Sequence, residues 1–98
     1  RIILDPGFGF GKTAEHNFQL LAHLGDLCLT EHPILVGLSR KSMIASVLDK
    51  APEERVFASV ALALMAVERG ASIVRVHDVA ATADALAMWS ALPRSLDR

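Results

Sequence analysis

The chain has 98 residues, enough for one small domain with a modest core. Hydrophobic residues make up 52% of it, which argues for a packed interior and against a disordered chain. A formal net charge of -1 excludes the broad basic surface that general nucleic-acid binding needs, while leaving room for a local anion pocket.

In chain order, a short apolar strand runs into a polar or glycine-rich loop and then a helix, three times over. The first predicted strand covers residues 2–4 (Ile2, Ile3 and Leu4) and enters the loop Asp5-Pro6-Gly7-Phe8-Gly9-Phe10-Gly11-Lys12. Thr13 is the predicted N-cap of a helix over residues 13–29, with Leu20, Leu21, Leu24, Leu27 and Cys28 on its apolar face. A second strand, residues 34–38, follows Pro33 and leads into Ser39-Arg40-Lys41-Ser42 and a short helix over residues 43–48. Pro52, Glu53 and Glu54 open a new helix that runs to Arg69 and stops at Gly70. Its stretch 56–67 is apolar enough to read as buried. The third strand, residues 72–76, gives way to His77 and Asp78, with Asp78 the expected cap of the final helix. That helix, residues 80–92, is predicted to turn Leu86, Trp89 and Leu92 inward and to end at Pro93. Strands alternating with amphipathic helices specify an α/β fold with a parallel sheet. An open doubly wound sheet and part of a barrel both fit the pattern.

The sequence starts at Arg1 and enters an apolar strand at once, so a fragment of a larger domain is expected, with an exposed sheet edge that favours self-association in isolation. Cys28 is the single cysteine, so no internal disulfide can form, and a reduced, cytoplasmic compartment is expected. No uninterrupted apolar stretch reaches the roughly 18 residues of a membrane span.

Each unusual polar cluster follows a strand directly. In parallel α/β folds the carboxyl ends of the strands carry the active site, so the three clusters are expected to converge on one rim. The glycine loop misses the P-loop spacing, because Gly7 to Gly11 encloses three residues rather than four before Lys12-Thr13. It misses the dinucleotide pattern too, since Gly7, Gly9 and Gly11 alternate. What remains is a loop whose backbone can approach a ligand, with Phe8 and Phe10 either offering ring faces or plugging the top of the fold. Asp5 can accept two parallel hydrogen bonds from a flat ring edge, or serve as a structural cap. Ser39 to Ser42 joins a strand to a helix start, an arrangement that attracts a carboxylate or phosphate. There Ser42 can cap or donate to an anion and Lys41 adds a point charge, whereas the bland alternative leaves Arg40 and Lys41 as solvated charges. Arg75 and His77 alternate and so share one face of the third strand. Arg75 offers a flat cation for stacking and a fork for an anion, and His77 either joins it or is a satisfied core histidine. His16, His23, His32 and His77 do not compose a metal set, and a surface role suits the first three better.

Leu4 to Lys12, Gly37-Leu38-Ser39-Arg40-Lys41-Ser42 and Ile73-Val74-Arg75-Val76-His77-Asp78-Val79 resemble, in order and spacing, the motifs of the dihydropteroate synthase family. The resemblance covers essentially residues 1–98. It implies a C-terminal fragment of about three βα units, the sixth to eighth, of a (β/α)8 TIM barrel. The implied enzyme is a transferase of folate biosynthesis. It condenses 6-hydroxymethyl-7,8-dihydropterin pyrophosphate with p-aminobenzoate, giving 7,8-dihydropteroate and pyrophosphate. By the same resemblance Lys41, Arg75 and His77 are the catalytic set, and Asp5, Phe10, Gly37, Ser39 and Ser42 join them in binding substrates. Asp5 would read the pterin's amino-pyrimidine edge and Lys41 the ring's acceptors. Arg75 would stack on the pterin and, with His77, face the pyrophosphate. Ser42 would receive the p-aminobenzoate carboxylate in a pocket lined by Phe10 and Lys41, where sulfonamides compete.

The departure from the family is in length, since a complete barrel of this type takes roughly 250 residues. The family's Mg²⁺-holding Asn, its flexible Thr-Arg loop and further pterin-binding Asp and Asn have no counterpart here. Mg²⁺ is therefore expected to be held elsewhere in the barrel, with no metal ligand in this chain and no activity from the fragment alone. Related barrels hold folate derivatives as methyl donors, so a pterin-binding methyltransferase module is the rival reading. The Ser-Arg-Lys-Ser segment favours the synthase because it serves the second substrate. Homodimerisation through the C-terminal helices is also implied; binding to nucleic acid or membrane is not.

Overall fold

A computed structural model describes residues 3–9, 13–27 and 32–93. Its centre is a small parallel sheet. Leu4 bridges to Ile34, its amide donating to Pro33 O at 2.9 Å and its carbonyl accepting from Leu35 N at 2.8 Å. Strand β1 (Leu35–Val36) then pairs in parallel with β2 (Ile73–Val74), Leu35 opposite Ile73 and Val36 opposite Val74. The three segments thus lie side by side in chain order, as the alternating pattern requires. The ladders are shorter than the predicted strands 34–38 and 72–76. The last rung is Arg75 N to Val36 O at 2.9 Å, and beyond it Ser39 Oγ, rather than a carbonyl, takes the amide of His77.

Helix α1 (Ala14–Ala22) starts where the sequence indicates, with Thr13 Oγ1 accepting from His16 N at 3.1 Å. It ends sooner than the expected 13–29. At His23 the backbone N–H donates to Gln19 O, and the ring's Nδ1 lies 3.0 Å from the same carbonyl, so the next turn begins afresh as α2 (Leu24–Leu27). Residues 28 and 29 lie outside the described segments.

After β1 a 3₁₀ turn, Ser42–Ser46, stands where a helix over 43–48 was expected. Ser46 Oγ donates to Met43 O at 2.7 Å, a local side-chain bond that competes with helical propagation. Ser42 is not the cap; that position belongs to Lys41, which makes no side-chain capping bond. The expected helix from Pro52 is also split, into a 3₁₀ turn (Pro52–Glu54) and α3 (Val56–Glu68). Arg55 lies at the break, its guanidinium donating to Lys50 O and Arg40 O at 2.9 and 3.0 Å. Gly70 closes α3 as the sequence indicates, at φ 110°, a conformation that costs glycine little.

The core lies between the sheet and the helices, built from Phe8, Leu21, Leu24, Ile34, Val36, Leu38, Met43, Ile44, Leu62 and Ala66. Helix α3 is buried along one side only, through Ser59, Leu62, Ala63 and Ala66, while Phe57 is 89% exposed. The expectation of a wholly buried helix is therefore corrected. The last helix, α4 (Val79–Ala91), packs on α3. Leu86 and Trp89 are half-buried, but Leu92 is exposed rather than inward, because it follows the last turn.

Candidate functional site

Because the three segments run parallel, the loops that leave them emerge on one edge. The first loop is shaped by its own residues. Asp5 Oδ1 accepts from Gly7 N at 2.9 Å, and Gly7 and Gly9 take φ of 77° and 88°, which glycine adopts readily. Phe8 is 1% exposed, so it plugs the core rather than facing a ligand; burying such a ring contributes roughly 2 kcal/mol. Phe10 lies outside the described residues. Asp5 itself is exposed on the rim.

Lys41 crosses from the second loop to the first, donating from Nζ to Phe8 O at 2.6 Å. Its stem runs under Gly9, where a Cβ would stand 3.3 Å from Lys41 Cδ. Burial of the ammonium and the nearby Arg75 charge pull the Lys41 pKa below its ordinary value, against the opposing influence of Asp5. Asp5, Lys41 and Arg75 therefore share one local field.

The Arg75 guanidinium lies against Gly37. A Cβ at Gly37 would be 2.6 Å from Arg75 Nη2 and 3.0 Å from Cζ, so only the bare backbone leaves room for the guanidinium. Ser39 is buried, and its hydroxyl meets His77 twice, accepting from the backbone N at 3.0 Å and lying 2.9 Å from Nδ1. The two contacts tie both the backbone and the ring of His77 to Ser39. Gly37, Ser39, Lys41, Arg75, Val76 and His77 line a single cavity of 170 Å³. Ser42 is exposed in the 3₁₀ turn beside Lys41 and does not line it. A larger cavity of 260 Å³ sits between α1, the 3₁₀ turn and α3, but its lining is wholly apolar and away from the rim.

Some contributors escape a reading by motif. Asn17, 2% exposed on α1, accepts the amide of Gly9 at Oδ1 (3.0 Å) and so anchors the glycine loop from below. Its only signal is an amide interrupting an apolar face, four residues before Leu21. Asn17→Ala leaves that loop amide without its partner and is expected to cost about 1–3 kcal/mol, measurable by urea unfolding. Arg40 and Asp78 are the other surprise. Arg40 is no solvated charge: its Nη2 and Nε donate to Asp78 Oδ1 and Oδ2 at 2.6 and 3.1 Å. Asp78 occupies the N-cap position of α4 but makes no side-chain cap. Their hydrogen bonds raise the Arg40 pKa and lower that of Asp78.

The family model described as "Pterin binding enzyme" matches residues 1–77. The chain belongs to that family. The dihydropteroate synthase of Haemophilus influenzae is 57% identical over 92% of this chain and 33% of its own length. A solved structure of the Xanthomonas albilineans dihydropteroate synthase with 4-aminobenzoic acid superposes with a TM-score of 0.92, at 54% identity over 95% of this chain and 36% of that one. The same enzyme in complex with 7,8-dihydropteroate gives 0.89, at 54% identity over 93% and 36%. The chain thus spans about a third of the length of the curated relatives it matches. The resemblance to dihydropteroate synthases read from three motifs holds over nearly all of it. Among the described residues, no group of three or more His, Cys, Asp or Glu gathers to hold a metal ion. No helix among them is long and apolar enough to cross a membrane.

Proposed function

We propose that the full-length protein is a cytoplasmic dihydropteroate synthase and that this chain supplies consecutive βα units of its (β/α)8 barrel. The observation that carries the reading is the gathering of Gly37, Ser39, Lys41, Arg75 and His77 around one cavity, with Asp5 on the same rim. Asp5 accepts from the amino-pyrimidine edge of the pterin, Lys41 donates to the ring's acceptors, and Arg75 offers its flat face for stacking. His77, with Nδ1 held at Ser39, turns its ring toward the leaving pyrophosphate. Ser42 receives the carboxylate of p-aminobenzoate, in a pocket lined by Lys41 and Phe10. The C–O bond to pyrophosphate breaks, and the aniline nitrogen forms the C–N bond and gives up one proton. The residues of this chain orient both partners and offset the departing charge.

Assaying the full-length protein with dihydropterin pyrophosphate and p-aminobenzoate tests the reading. Equimolar dihydropteroate and pyrophosphate are expected. Pterin binding without pyrophosphate release would instead assign a methyltransferase-type pterin module.

The same reading includes a homodimer through the C-terminal helices. It is supported by the apolar side chains that α4 and its end leave uncovered, Val79, Met88 and Leu92 at 66, 74 and 65% exposure. Met88→Glu is expected to shift the sedimentation coefficient of the full-length protein to that of a monomer. An unchanged dimer would reject this surface.

A further inference from the structure

Arg40 is the single non-glycine residue with positive φ among the described residues, at 56°. An arginine gains nothing intrinsically from that conformation, which glycine or asparagine adopts more cheaply. What compensates is visible in its bonds. Its amide donates to Ser59 Oγ at 2.7 Å, its carbonyl accepts from Arg55 Nη1 at 3.0 Å, and its guanidinium grips both oxygens of Asp78. The left-handed backbone sends the Arg40 side chain away from the cavity, which Ser39 and Lys41 on either side both line. Two cross-links in register then join the loops, Ser39 to His77 and Arg40 to Asp78, each spanning 38 residues.

We propose that Arg40 and Asp78 are positioning residues: a bidentate latch that binds the loop after β1 to the loop after β2 and so holds Lys41 and His77 in place. Neither lines the cavity. The latch deepens the synthase reading and rests on it for its effect on turnover. Asp78 serves the ion pair in place of the helix cap, and the fork geometry explains why arginine is used where lysine would give one point contact.

The test uses the full-length protein carrying Arg40→Gly, Asp78→Asn, or both. Glycine keeps the backbone conformation without strain, so Arg40→Gly removes the latch while sparing the fold. Each single variant is expected to lower kcat roughly 10–100-fold, the scale of a small misplacement of reacting groups. The double variant is expected to match the worse single, because either change opens the same latch, and Asp78→Glu should recover part of the loss. In ¹⁵N spectra the His77 ring of the unsubstituted protein should show one tautomer, fixed by its contact with Ser39, and both single variants should show averaged tautomers. Full turnover in Arg40→Gly, losses that multiply in the double variant, or a His77 ring signal unmoved in both singles would each overturn the latch. Should the unsubstituted protein release no pyrophosphate, the synthase reading fails, and the ring signals alone judge the latch.

Discussion

Lys41→Ala is expected to lower kcat/KM of the full-length protein by on the order of 10²–10³, the loss that follows removal of one charged donor from an enclosed site. Two roles fall together. The ammonium faces the cavity, and it also holds the glycine loop through Phe8 O at 2.6 Å. Lys50→Ala, on the exposed surface, serves as the control and should leave turnover within twofold. Equal losses in the two variants would dissolve the site. The depressed pKa adds a second signature. Burial and Arg75 favour the neutral amine, so raising pH discharges Lys41 before an ordinary lysine. The alkaline limb of the kcat/KM profile is therefore expected below 10.5, and Lys41→Arg should remove that limb because guanidinium stays charged. The stability sign runs the other way. The unfolded chain holds the proton up to a higher pH, so between the lowered value and the ordinary one unfolding free energy rises with pH.

The placement of these groups was legible because it depends on order along the chain. Three apolar runs of parallel-strand character, each followed by chemistry, put Asp5, Lys41, Arg75 and His77 on one edge before any contact is known. Thr13 and Gly70 were legible for a local reason: capping is decided within a single turn. What escaped depends on tertiary partners. Nothing near Asp78 in sequence says that its carboxylate prefers Arg40 to the α4 amides, and nothing near Ser39 says that its hydroxyl belongs to His77. Asn17 belongs to no motif, and its role shows only with the amide of Gly9 placed above it. The strands came out shorter and the helices more broken for a related reason. Arg55, His23 and Ser46 each divert a backbone carbonyl to a side chain, a choice that periodicity does not record.

Gly37→Ala is expected to lower the proposed turnover of the full-length protein about 10²-fold while leaving its melting temperature nearly unchanged. The backbone of Gly37 is not left-handed, so alanine fits its φ. What the new methyl meets is the tip of Arg75, at 2.6 Å from Nη2, and a flexible tip can swing aside at little cost to the fold. Swinging aside removes the flat cation from the place proposed for pterin stacking, and a displacement near 1 Å is enough for a loss of this size. The same logic fixes the relation to Arg75→Ala, which deletes the platform outright. Since one change displaces what the other deletes, the double variant should be no slower than Arg75→Ala alone. Arg75→Lys should not rescue, because an ammonium has no planar face. Quenching of pterin fluorescence separates binding from turnover, and Gly37→Ala should weaken both. Wild-type pterin affinity in Gly37→Ala, or a double variant slower by the product of the singles, would show that Arg75 does not act from its seat on Gly37.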